Sequence, residues 1–135
     1  MFASIPKALH LLLHEDAIPE YVMTTILNSH LTLQRADQVL RRGQWTYSTG
    51  RPDFLRTVLS GTRLVLLRYG HIGRAIPIRA KAFGIRVHVA TRSTVKDVLV
   101  DETLGSSNLP AFLDSADAIV VPLPHLPQTE RMVNE

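Results

Sequence analysis

The chain has 135 residues, which sets one domain as the starting expectation and allows a real core. It is 45% hydrophobic and 20% charged, as a globular protein is, and its net charge of +3 suits an anionic small ligand while being too weak and dispersed for a nucleic-acid partner. It contains no cysteine, which excludes a disulfide framework and a thiolate metal site and fits a cytoplasmic protein.

The N-terminal stretch MFASIPKALHLLLHEDAIPE holds a short apolar run, broken by Lys7 and His10 and stopped at Glu15 and Asp16. A membrane span needs about 20 apolar residues, so no membrane association is expected. The run also lacks a small-residue cleavage site, which reads as a soluble start without a targeting signal. Residues 19–42 then read as one long helix. Asp16 is placed to accept hydrogen bonds from the first free N–H groups, and Pro19 fits the first turn, where its missing N–H is harmless. Val22, Ile26, Leu33, Val39 and Leu40 recur at roughly helical spacing, and Gly43 is a natural stop. Met23, Leu27 and Leu31 widen the apolar surface, which implies burial on more than one side, against a sheet and against a partner.

The segment QWTYSTGRPDF reads as a loop. Residues 64–67 form a continuous apolar run, the pattern of a parallel strand covered on both faces. HIGRAIPIRAKAFG reads as a helix closed by Gly84, and IRVHVATR as a second strand with Val87 and Val89 on one face. SNLPAFLDSAD is a short amphipathic helix with Leu109, Phe112 and Leu113 on its apolar side. AIVVPLP, beginning at Ala118, reads as a third buried strand closed by Pro122 and Pro124. Strand, helix, strand, helix, strand predicts an α/β fold: a Rossmann-type parallel sheet with helices on both faces.

Three of these pieces together resemble the nucleotide-binding domain of the D-isomer-specific 2-hydroxyacid dehydrogenases. Ala17, Ile18 and Glu20, then Ala36 and Asp37, then Arg42, Gly43 and Trp45 are similar to that family's long helix and the arm after it. LSGTRLVLLRYGHIGRAIPIRAKAFGIRV resembles its glycine turn and the helix ending in K-A-F-G, and LDSADAIVVPLPHLPQTERMVNE its stretch running through L-P to a later threonine. A lone glycine motif is weak evidence, whereas three matches in order are specific. The resemblance covers residues 17–135 and implies a single partial dinucleotide-binding domain over 1–135, with 17–45 as a long dimerisation-type helix plus arm. It implies an NAD or NADP cofactor, and a homodimer or a pairing with a full-length relative through 17–45. The family's catalytic arginine, acid and histidine fall beyond position 135. No catalytic residue is therefore assigned, and no turnover of a 2-keto acid is expected of this chain.

Within the glycine turn, Gly70 matches the glycine that lets backbone approach the pyrophosphate, and Gly73 the one that lets helix and strand pack closely. His71 and Ile72 sit at the helix N-terminus, where N–H groups can face phosphate. Arg68 stands where the first glycine belongs. It either contacts phosphate or is a substitution that weakens binding. Pro77 lies inside the helix, where a proline costs about 3 kcal/mol, and predicts a kink or a late helix start. NAD-preferring members keep an acid about 20 residues past the turn. Here Thr91, Arg92 and Ser93 occupy that region, leaving no carboxylate to repel a 2′-phosphate and favouring NADP over NAD. Arg92 either pairs with such a phosphate or is a solvated strand-end charge. Leu123, Pro124 and Thr129 match positions that lie along the cofactor. His10 and His14 are four apart but have no evident third ligand, so no metal is expected. Two other readings stand beside the cofactor domain: a non-catalytic association module, and a degenerate gene product that no longer binds nucleotide. A sheet that stops after its third strand also predicts an unpaired edge and a tendency to associate.

Overall fold

The computed structural model of the chain describes residues 7–31, 33–44, 58–105 and 109–122. Two helices come first, α1 (Lys7–Leu31) and α2 (Leu33–Arg41). They are followed by β1 (Arg63–Leu67), α3 (His71–Ala82), β2 (Arg86–Ala90), β3 (Glu102–Leu104), α4 (Leu109–Asp114) and β4 (Ala118–Val120). The strands form one parallel sheet in the order β3-β2-β1-β4. Leu64 stands beside Val87 on one side and Ala118 on the other, and His88 stands beside Glu102.

The alternation of side chains along β1 divides the core in two. Leu64 and Leu66 face α3 and α1, where they meet Ile76, Ala80, Val87, Val89, Met23 and Ile26. Val65 and Leu67 face the opposite way and meet Phe112 of α4, with Leu109 and Leu113 partly buried around it. Helices thus cover both faces, and residues 64–67 are buried throughout, as a central parallel strand requires.

Four differences from the sequence expectations have physical causes. The first helix does not begin near Pro19. α1 starts at Lys7 and runs through Pro19, whose ring is fully buried, so core packing compensates for the lost backbone bond. The long helix is two helices rather than one, with Thr32 outside the described residues. The third strand of the sheet in chain order is Glu102–Leu104, which the sequence reading passed over. It is held at the sheet edge through the backbone of β2, with Thr91 N–H donating to the Leu104 carbonyl at 3.1 Å. Finally, β4 is not buried: Ile119 is 46% exposed, because β4 is the other edge strand and its α4-side neighbour Val65 takes the cover that the short α4 provides. The arm from Trp45 and most of the loop to Phe54 lie outside the described residues.

Glycines terminate both α2 and α3. At α3 the N–H of Gly84 bonds the carbonyl of Lys81 and that of Ile85 bonds Ala80, with Gly84 at φ 71°. Gly43, at φ 69°, closes α2 the same way against Leu40 while Gln44 reaches back to Val39.

Candidate functional site

In an open parallel sheet, ligands gather beyond the carboxyl ends of the strands where the chain's winding reverses direction. Here that reversal lies beside β1, whose neighbours β2 and β4 are reached on opposite sides. The turn leaving β1 occupies this place. Arg68, Tyr69 and Gly70 carry the chain from Leu67 into α3.

Arg68 adopts φ 97°, the only described non-glycine residue at positive φ. Its N–H is held by the carbonyl of Ala90 at 3.0 Å, which fixes the turn against the end of β2. The backbone therefore keeps the glycine-type bend that the motif calls for, although the residue is an arginine. Gly73 meets the sterics of that bend directly: a Cβ there would sit 2.8 Å from the Arg68 carbonyl oxygen. Only a residue without a side chain lets α3 approach the turn so closely. At Gly70, by contrast, a Cβ would find nothing within 4 Å, so the space in front of this residue is open to a ligand.

Pro77 does not delay the helix. α3 begins at His71, and Pro77 is fully buried in its interior. The carbonyl that a residue at 77 would engage belongs to Gly73, one turn in, so the N–H groups of the first turn are unaffected. His71, Ile72 and Gly73 lie in that first turn.

Thr91 and Ser93 follow β2 and border a cavity of about 310 Å³ beside the turn, together with Tyr69, Arg74, Lys96 and Asp97. Tyr69 donates its hydroxyl to Asp97 Oδ2 at 2.8 Å, and the Arg74 guanidinium lies over the Tyr69 ring, 5.8 Å from its centre. Burial, then the bond to Asp97, pushes the Tyr69 hydroxyl well above its usual range and keeps it a donor. The Asp97 carboxyl is pushed down, first by the Leu99 N–H that bonds Oδ1 at 2.9 Å and then by Tyr69. Arg92 is exposed and is not among the residues bordering this cavity.

The same end of the sheet thus gathers Gly70, His71, Ile72, Gly73, Thr91, Arg92 and Ser93. Leu123, Pro124 and Thr129 lie outside the described residues. The segment leading to them does reach the site: Pro122 Cγ would be 3.8 Å from a Cβ on Gly73. The sequence reading did not include Tyr69, Arg74, Lys96 and Asp97. Tyr69 and Arg74 flank the two glycines and carried a local signal, an aromatic and a cation five residues apart at a helix start. Asp97 carried none.

The profile of the family described as "D-isomer specific 2-hydroxyacid dehydrogenase, NAD binding domain" matches residues 23–135. This chain belongs to that family. Among its relatives is the glyoxylate reductase of Thermococcus kodakarensis, 29% identical over 125 residues, a match covering 89% of this chain and 37% of that one. A D-isomer specific 2-hydroxyacid dehydrogenase family protein from Aeromonas salmonicida superimposes with a TM-score of 0.70 at 28% identity, covering 82% of this chain and 34% of the other. A glycerate dehydrogenase related protein from Thermoplasma acidophilum gives 0.72 at 26% identity, over 93% and 43%. The chain thus spans little more than a third of the glyoxylate reductase it matches. Membership of this NAD-binding-domain family accounts for the glycine turn and the parallel sheet together. Among the described residues, no group of three His, Asp or Glu could hold a metal ion, and no helix is long and apolar enough to cross a membrane.

Proposed function

We propose that the chain binds a nicotinamide dinucleotide across the turn from β1 into α3 and prefers NADP to NAD. The observation that carries this reading is the pairing of an open approach at Gly70 with a forced close contact at Gly73. The first leaves room for a pyrophosphate, and the second brings the N–H groups of α3 to it. Gly70, His71, Ile72 and Gly73 would hold the pyrophosphate, and Thr91, Arg92 and Ser93 would face the adenosine ribose. Leu123, Pro124 and Thr129 would lie along the remainder. The preference for NADP rests on Thr91 standing where an acid would engage the ribose hydroxyls. The bound cofactor supplies a hydride, and the reaction served is reduction of a 2-keto acid to a 2-hydroxy acid, as the name of the glyoxylate reductase relative suggests. No catalytic side chain is assigned within these residues; the chain's part is to bind and orient. Titration of the purified chain with NADPH and NADH, followed by nicotinamide fluorescence, tests the reading. Saturable binding with NADPH tighter than NADH supports it, and tighter NADH binding removes the NADP preference.

A second reading concerns association. Tyr21 on α1 is 73% exposed and Leu40 on α2 is 51% exposed, and each is an apolar side chain that a second copy or a full-length relative packing along residues 17–45 would cover. Light scattering on the eluted protein decides it: a dimer that shifts to monomer on Tyr21→Glu fits, and a monomer at all concentrations does not.

A further inference from the structure

The cavity beside the turn contains cations that the dinucleotide reading does not use. Two of its bordering residues are positively charged, Arg74 and Lys96, and one is negative, Asp97. Among the described residues, Arg41, Arg79 and Lys81 are held in ion pairs elsewhere, whereas Arg74 lies over Tyr69 at the cavity and Lys96 borders it. The one carboxylate is already committed. Asp97 Oδ1 takes the Leu99 N–H and Oδ2 takes the Tyr69 hydroxyl. Each Asp97 oxygen thus already holds one donor from the protein, and those two bonds fix the carboxylate in place. The space is therefore bordered by two cations and the hydroxyl groups of Thr91 and Ser93 against the single negative charge of Asp97, an excess of one positive charge. Cations and hydroxyls together are a set for a phosphomonoester.

We propose that Arg74, laid over Tyr69 and braced through the Tyr69–Asp97 hydrogen bond, is the residue that selects a phosphomonoester on the adenosine ribose, with Lys96 as its partner. This rests on the dinucleotide reading above for the identity of the ligand. It reassigns the selecting charge from Arg92 to Arg74. Arg74 approaches from the first turn of α3, on the opposite wall from the loop after β2 that carries Lys96. Tyr69 is a positioning residue: its ring fixes the guanidinium, and its hydroxyl ties that ring across 28 residues of sequence to Asp97. Breaking the tie lets Arg74 move without removing a charge from the cavity.

The test measures dissociation constants for NADPH, NADH and 2′-AMP by calorimetry on the full chain and on Arg74→Leu, Lys96→Met, Tyr69→Phe and Arg92→Leu. Arg74→Leu is expected to weaken NADPH and 2′-AMP about tenfold while NADH stays within about twofold. Tyr69→Phe keeps the ring and every charge, so a fall of about threefold or more in the NADPH-to-NADH ratio, with the thermal midpoint unchanged, reports positioning rather than loss of fold. Arg92→Leu is expected to leave the ratio in place. A ratio untouched by Arg74→Leu and collapsed by Arg92→Leu overturns the assignment. If the parent chain binds 2′-AMP in an Arg74-dependent way but neither dinucleotide, the pocket stands and the dinucleotide reading falls. If it binds none of the three, both fall.

Discussion

Gly73 and the carbonyl of Arg68 are in forced contact: a Cβ on the glycine would lie 2.8 Å from that oxygen. The obstacle is backbone, held in turn by Ala90, so it does not swing aside as a side chain would. Gly73→Ala is therefore expected to lose about 1–3 kcal/mol of stability by overpacking. Urea unfolding followed by circular dichroism checks this. An alanine variant as stable as the parent shows that α3 can shift away from the turn.

Arg68 makes the opposite prediction. A non-glycine residue at φ 97° is strained, by about 1–3 kcal/mol, while glycine loses about 0.5–1 kcal/mol more backbone entropy on folding. The first effect is larger, so Arg68→Gly is expected to stabilise the chain by about 1 kcal/mol, whereas Arg68→Ala keeps the strain. The comparison of the two variants in the same unfolding assay isolates the backbone from the lost guanidinium. Equal stability of the two rules the strain argument out.

His88 gives stability a pH dependence. It sits on β2 beneath α4, its ring 5.4 Å from that of Phe112. Its Nδ1 is 3.1 Å from Glu102 Oε2, but neither ring nitrogen has an aligned hydrogen bond among the described residues. Burial pushes its pKa down, against the opposing pull of Glu102 and Asp101 and with help from Arg63. A folded-state pKa below the unfolded one means the unfolded chain binds more protons between the two values, so stability rises with pH there. It is fully present above the ordinary histidine value of about 6.5 and is lost as pH falls from there through the folded pKa. Urea midpoints taken stepwise from pH 7.5 to pH 5 are expected to decline in the parent and to flatten in His88→Leu. The same decline in both variants assigns it to other groups.

Asp101 ties the loop from β2 to β3 back onto the core. It accepts the N–H of Val87 at 2.6 Å and is paired with Lys81 at the end of α3. Val87 is fully buried, so its N–H has no water to turn to. Asp101→Ala is expected to lower stability by about 1–2 kcal/mol, and Lys81→Met by less, because the exposed side of that ion pair is screened. Denaturant midpoints rank the two, and a larger loss from Lys81→Met contradicts the ranking.

What could be read ahead of the fold was whatever is written locally. The apolar run of β1, the spacing of α3, the glycine that closes it and the two glycines of the turn all act within a few residues of themselves. β3 was missed because Glu102, Thr103 and Leu104 carry no alternating pattern; a longer strand beside them, β2, imposes their conformation. Pro19 was misread for a related reason. A proline looks like a helix start until the burial that tolerates it inside a helix is known. At the site, the glycine turn was legible because it is a backbone feature. The Tyr69–Asp97 bond was not, since nothing in either neighbourhood points to a partner 28 positions away.

Two prolines stand inside helices that pack on one another, Pro19 in α1 and Pro77 in α3, and both are fully buried. Each removes a rung from a structure that is marginal alone in water even without such damage. Peptides spanning either helix should therefore be largely unstructured by themselves. In the intact chain these helices exist because they are docked. Their backbone order and the packing of Met23, Ile26 and Ile76 between them are then one cooperative event, so neither helix holds its shape without the other's surface.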